Sequence, residues 1–199
     1  IYVWGAQSEL GSYPTSYIPT TSSFVVRSAD VSSSAAATRS SDLASISGSN
    51  FTSWYRQDEG TFVTKFDTFR SFPIPNNTWP RIFLVRDVYW YTRMNLAYMA
   101  NTNNLYFGYT VNNISDLIQI TTTIPSGQQN IGISYKQNDV AAANSGIVSS
   151  TDSYANIPQN VYQLDIGGGD SSSILNGHIS KLTYYPRRLS NATLQNLSK

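Results

Sequence analysis

The 199-residue chain has no cysteine, one histidine, His178, and two glutamates, Glu9 and Glu59. Without cysteine there are no disulfides, no thiol catalysis and no thiolate metal sites. With one histidine, any Ser-His-Asp arrangement depends on His178. It sits between Gly177 and Ile179 in a strand-like run, and a packed or hydrogen-bonded structural residue is the expectation there. Scarce glutamate bears on glycoside hydrolysis, which needs two carboxyl groups facing the scissile bond. Asp58 and Glu59 are adjacent, so on a strand they point to opposite faces. Nowhere do acidic residues alternate along one strand, and no enzymatic activity is expected.

Charge is also sparse. Charged residues make up 13% of the chain and the net charge is +1, with no long run of either sign. Soluble domains usually carry about 25%. The electrostatic footprint of a nucleic-acid or anionic-membrane binder is missing. No apolar stretch approaches the ~18 residues of a membrane-spanning helix, and no signal-peptide pattern is present. The first residue is Ile1 rather than methionine, and a fragment or processed product is the expectation.

Ser, Thr and Asn cover the surface that charge does not. Aromatics reach 13%, with 14 Tyr and 4 Trp; their apolar faces and polar handles suit strand packing and half-wet binding surfaces. Short β-favouring runs broken by Gly, Pro, Asn and Ser predict strands at 24–28, 60–66, 81–85, 95–100, 105–110, 117–123, 130–137, 140–143, 161–166 and 177–185. Strands at this spacing specify an all-β, antiparallel sandwich or jelly roll.

The clearest element is a hairpin. Ile131, Ile133 and Tyr135 alternate with Gly132, Ser134 and Lys136, the pattern of a strand with one buried face. A turn is expected at Asn138-Asp139. Near the end, Ile179 and Leu182 break strict alternation, and a bulge around Ser180-Lys181 would turn both inward. Ser190 can cap a short terminal helix, with Leu189 and Leu194 placed as a hydrophobic staple. An echo between residues 26–31 and 38–43 reads as a surface duplication without chemical role. Gly167-Gly168-Gly169, between Asp165 and Asp170, resembles a calcium loop only in composition. It lacks ligand spacing, and it lacks the Lys and following helix of a phosphate loop. No metal or cofactor is assigned.

Three stretches together carry a family resemblance. They are Trp4-Gly5-Ala6-Gln7 with Tyr13-Pro14-Thr15-Ser16-Tyr17-Ile18-Pro19-Thr20; Ala44 to Tyr55 continuing to Glu59-Gly60-Thr61; and Leu175 to Leu182 with Tyr184 to Ser190. They resemble the concanavalin A-like, laminin-G-type jelly-roll modules of tailed-bacteriophage tail fibres and tailspikes. The resemblance implies a jelly-roll β-sandwich with a short C-terminal helix over residues 21–199, a carbohydrate-binding-type domain. Residues 1–20 would be the exit strand and linker of an upstream fibre or tailspike domain. It further implies a homotrimer on the virion tail, exposed to the extracellular medium, whose partner is a bacterial cell-surface glycan. The rival reading is a non-binding structural cap or trimerisation domain.

Residues 68–93 depart from the family-like flanks, and such segments on a rigid scaffold carry specificity. Sugar rings stack C–H faces on aromatics while their hydroxyls pair with polar side chains. The candidate carbohydrate-binding residues are Trp79, Asp87, Tyr89, Trp90, Tyr91 and Arg93, with Trp90 expected as an exposed contact. On a strand, Tyr89 and Tyr91 would share one face and Trp90 the other.

Overall fold

Period-two burial organises the chain into strands β1 (Ala44–Ser47), β2 (Glu59–Thr68), β3 (Arg81–Arg86), β4 (Arg93–Met99), β5 (Asn104–Val111), β6 (Ile114–Thr121), β7 (Gln129–Lys136), β8 (Asp139–Asn144), β9 (Ile147–Asp152), β10 (Gln163–Ile166) and β11 (Gly177–Tyr185). Two short helices, α1 (Ser49–Thr52) and α2 (Asn191–Leu197), accompany them. The structure is a computed structural model that describes residues 44–68, 79–99, 104–121, 127–170 and 173–199. The expected strand at 24–28, the echo, the N-terminal segment 1–20 and most of residues 68–78 lie outside the described residues.

The fold is an antiparallel jelly-roll β-sandwich. Among the described residues, one sheet has six strands in the order β1-β10-β3-β4-β5-β6, and the other has five in the order β11-β2-β7-β8-β9. Their inner faces meet through large rings. Phe62 of β2 lies 4.5 Å from Phe83 of β3, and Phe66 meets Tyr98 edge-on at 6.1 Å. Met94, Leu96, Phe107, Ile131 and Ile133 fill the space between, all fully buried or nearly so. The family-like segment at residues 44–55 plugs one end of this core: Phe51 of α1 is buried and stacks on Tyr55 at 4.5 Å. Tyr55 in turn accepts a 3.0 Å hydrogen bond from the Tyr135 hydroxyl.

The expected hairpin forms, with two corrections. Lys136 pairs with Asp139, so the turn is Gln137-Asn138, one residue earlier than expected. Asn138 takes the left-handed conformation, φ 58°. Asp139 begins the return strand, and its carboxylate pairs with Arg188 at 2.8 Å. Ile131, Ile133 and Tyr135 are buried as expected, but so are Gly132 and Ser134. The cause is α2, which covers the other face: a Cβ on Gly132 would lie 2.7 Å from Leu194 Cδ1. Leu194 also packs with Ala141 and Ala143 of β8.

The register shift in β11 falls between Ile179 and Lys181, making Ser180 the bulged residue, and Ile179 and Leu182 both pack on the core. Ser190 caps α2 by accepting the Thr193 amide at 3.2 Å, and Leu189 and Leu194 are both buried. His178, expected to be packed or hydrogen-bonded, is instead exposed on β11, because its inward-facing neighbour Ile179 takes the core position. Strands β1 and β9 were not expected from sequence.

Candidate functional site

Alternation on the six-stranded sheet sends Met94, Leu96 and Tyr98 of β4 inward, with Phe107 and Tyr109 of β5 and Ile118 of β6. The intervening residues must then face outward. Register sets Arg93, Thr110 and Ser115 in one row across β4, β5 and β6, and Asn95, Gly108 and Leu117 in the next. Gly108 brings no side chain to its row, so its neighbours surround a depression of about 160 Å³. Asn95, Arg93, Thr110, Ser115, Asp116 and Leu117 border it, with Trp79 and Arg81 at its margin. The Trp79 ring is half-buried and tilted against Tyr106, 6.1 Å away. A polar ladder continues beyond it: Asn104 donates to the Tyr106 hydroxyl at 3.0 Å, which donates to Gln119 at 3.2 Å.

The opposite margin is held by a charged network. Asp165 accepts from Arg86 Nε at 2.7 Å, and Asp170 accepts from Arg81 at 2.6 Å. Between them sits the Trp90 indole, with the Arg86 guanidinium carbon 4.3 Å from its ring centroid and that of Arg81 5.6 Å away. Both distances fall within the range of cation–π attraction. The glycine loop crosses here: a Cβ on Gly169 would lie 2.6 Å from Leu84 Cδ2 and 3.3 Å from Trp90 Cη2. Gly169 has φ 149°, which also favours glycine. The loop is therefore a close-approach turn that covers Leu84. Its two carboxylates are committed to arginines, an arrangement that does not fit a calcium ion.

The six candidate residues fall into two groups. Residues 87–92 form a turn closed by the Asp87 amide on the Thr92 carbonyl at 2.9 Å. The alternation expected of a strand does not apply, yet the division it implied is real. Tyr89 and Tyr91 stack on each other at 6.0 Å on the rim, 72% and 53% exposed. Trp90, at φ 70°, folds the other way onto the arginines and is half-buried, a correction to its expected role as an exposed contact. Arg93 holds this turn by donating to the Trp90 carbonyl. Trp79 and Arg93 thus border the sheet-face depression, whereas Asp87 borders a second cavity of about 340 Å³ at the rim, with Thr92, Asn112, Gln159 and Asn160. Among the described residues the rim cavity has no aromatic lining, so they offer hydrogen bonds without a stacking face.

Sequence reasoning missed Arg81, Asn95, Gly108, Thr110, Ser115 and Asp116. One signal was available: glycine inside a strand marks a place where something approaches closely, and Gly108 interrupts a run of aromatics in β5. Cross-strand register, which no single strand displays, supplies the rest.

Comparison with solved structures places the architecture. Its fold is shared with carbohydrate-binding modules and laminin G domains. The sialidase module CBM40 of Ruminococcus gnavus superposes with a TM-score of 0.58 at 12% identity, over 72% of this chain and 84% of that one. Domain 4 of the arabinanase AbnA from Geobacillus stearothermophilus, in complex with arabinotriose, gives 0.57 at 11%, over 71% and 67%. The mouse laminin α1 LG4-5 pair gives 0.53 at 12%; the match covers 68% of this chain and 37% of that one. No protein-family model matches the chain, and no curated protein does so either.

Proposed function

We propose that this domain binds a glycan in the sheet-face depression between Trp79 and Arg93, acting by recognition rather than catalysis. The observation that carries the reading is the Gly108 floor. It opens a recess in a sheet face whose surroundings combine an aromatic ring with Asn95, Thr110 and Ser115. A sugar needs both kinds of partner, and the low charge of the chain leaves stacking and neutral hydrogen bonds as the means of recognition. Structures of the same fold support it: the R. gnavus module is bound to α2,3-sialyllactose in one structure, and the AbnA domain to arabinotriose in another. The three family-like stretches support a phage context, in which the domain is a tail-fibre or tailspike adhesion module binding a bacterial surface glycan as a homotrimer. Three weak sites on one particle would gain avidity with no new contact.

The test fills the recess. A Cβ on Gly108 would lie 3.5 Å from Asn95 Oδ1, ordinary contact distance, so Gly108→Val keeps the fold while placing methyl groups where the sugar would sit. A bacterial glycan array identifies the ligand, and calorimetry on Gly108→Val is expected to show at least a tenfold affinity loss with an unchanged thermal midpoint. Full affinity in the variant would place the ligand elsewhere.

One observation favours a second reading, association through the rim. Val88, Tyr89, Tyr91 and Ile114 are 53–79% exposed, and the Asn113 amide on the Tyr91 carbonyl, 2.9 Å, ties Ile114 to the tyrosines. Tyr89→Ser with Tyr91→Ser, followed by light scattering, separates it from the first: loss of oligomers with glycan affinity retained assigns the rim to assembly.

A further inference from the structure

The outer face of the six-stranded sheet carries three arginines, and the structure treats one of them differently. Arg81 and Arg86 each hold a carboxylate, Asp170 and Asp165, at 2.6 and 2.7 Å. Arg93 has no acidic partner within 4.0 Å among the described residues. One of its five N–H donors goes to the Trp90 carbonyl. The side chain lines the depression and is only partly exposed.

Its position is unfavourable in the empty protein. Burial, then repulsion from Arg81, pulls its guanidinium below the usual arginine value, and Asp87 offsets part of this. A carbonyl prop for the turn requires a single donor. A planar fork with four donors to spare, placed in a recess, matches the two oxygens of a carboxylate.

Asp116 does not oppose Arg93: its partner across β5 is the inward-facing Tyr109, so its carboxylate lies toward the other face of the sheet and only its backbone reaches the Gly108 floor. A cation with donors to spare, beside the neutral polar side chains of Asn95, Thr110 and Ser115, suits a sugar that carries an acid group as well as hydroxyls.

Resting on the glycan-binding reading above, we propose that the ligand is an acidic glycan, a uronic or sialic-type sugar, whose carboxylate pairs with Arg93.

Matched probes test it on the wild-type protein: trigalacturonate against its carboxyl-reduced galactose trimer, and 3′-sialyllactose against lactose, by calorimetry at low and high salt. At least one acidic member is expected to bind about tenfold more tightly than its neutral partner, equivalent to about 1.4 kcal/mol. The advantage shrinks as salt screens the pair. Arg93→Gln is expected to abolish the acid-over-neutral ratio and Arg93→Lys to restore part of it, changes that loss of a turn prop would not produce. Should Arg93→Gln fail to fold, the wild-type ratio and its salt dependence decide the matter alone. Equal affinity within both pairs overturns the carboxylate assignment while leaving glycan binding on this face intact. Binding of no glycan, acidic or neutral, overturns both.

Discussion

Replacing Trp90 by alanine should destabilise the domain without acting first on a ligand. The indole sits between two arginines at 4.3 and 5.6 Å, and each attraction contributes about 0.5–1 kcal/mol. It also covers Gly169 and, with it, the loop over Leu84. Emptying a fully buried tryptophan site costs roughly 3–5 kcal/mol, and this ring is half-buried, so a loss of about 2 kcal/mol is expected. For a domain of this size that lowers the thermal midpoint by about 4–8 °C. Trp90→Gly supplies an internal check, because residue 90 has φ 70° and a side chain there costs about 1–2 kcal/mol. Glycine should therefore be more stable than alanine at this position, by about 1 kcal/mol. Unfolding followed by circular dichroism in heat and in urea gives both differences. The reasoning is refuted if Trp90→Ala stays within about 0.5 kcal/mol of wild type, the range of an ordinary surface substitution, or if alanine exceeds glycine.

Gly132→Ala pushes a methyl against Leu194, where a Cβ would lie 2.7 Å from Cδ1 and 3.1 Å from Cγ. A loss of about 1–2 kcal/mol is expected, largely absent when Leu194→Ala is already in place; additive losses in a double-mutant cycle would contradict the contact. Burial raises the pKa of Tyr55, Tyr135 and Tyr184 above the usual tyrosine value. The folded state then holds protons that the unfolded chain releases near pH 10, so stability is fully present below that pH and is lost as pH rises beyond it. Urea midpoints should be flat to about pH 9 and fall above about 10, more gently in Tyr135→Phe; a midpoint that rises with pH would reverse the sign.

Most of the fold was legible because the sandwich core writes itself as alternation. Every expected strand on described residues coincides with an observed one to within a few residues, and the bulge at Ser180 was visible as a break in period. The omissions have physical causes. β9 is an edge strand of Ser and Thr with little apolar content. Its signal lay in the turn before it, where Ser145-Gly146 take φ 49° and 80°, the conformation favoured by two-residue hairpins. Asn112-Asn113 do the same between β5 and β6, at 50° and 65°. β7 reads as half-buried because nothing local announces that α2, some sixty residues on, covers its outer face. The site was legible only in part. The segment from Trp79 to Arg93 supplies Trp79, Arg81 and Arg93 to the border of the depression, but which rings lie on the rim and which on the sheet depends on the left-handed turn at Trp90. The Gly108 floor and its border depend on the register of three strands.

The position of a bound glycan decides between the sheet face and the rim. A titration of isotope-labelled protein with the tightest array ligand, followed by amide and indole resonances, locates it. The largest shifts are predicted at the Trp79 indole N–H and at the amides of Asn95, Gly108, Thr110 and Ser115, with Tyr89 and Tyr91 little changed. Shifts confined to Tyr89, Tyr91 and the residues around Asp87 would contradict the claim.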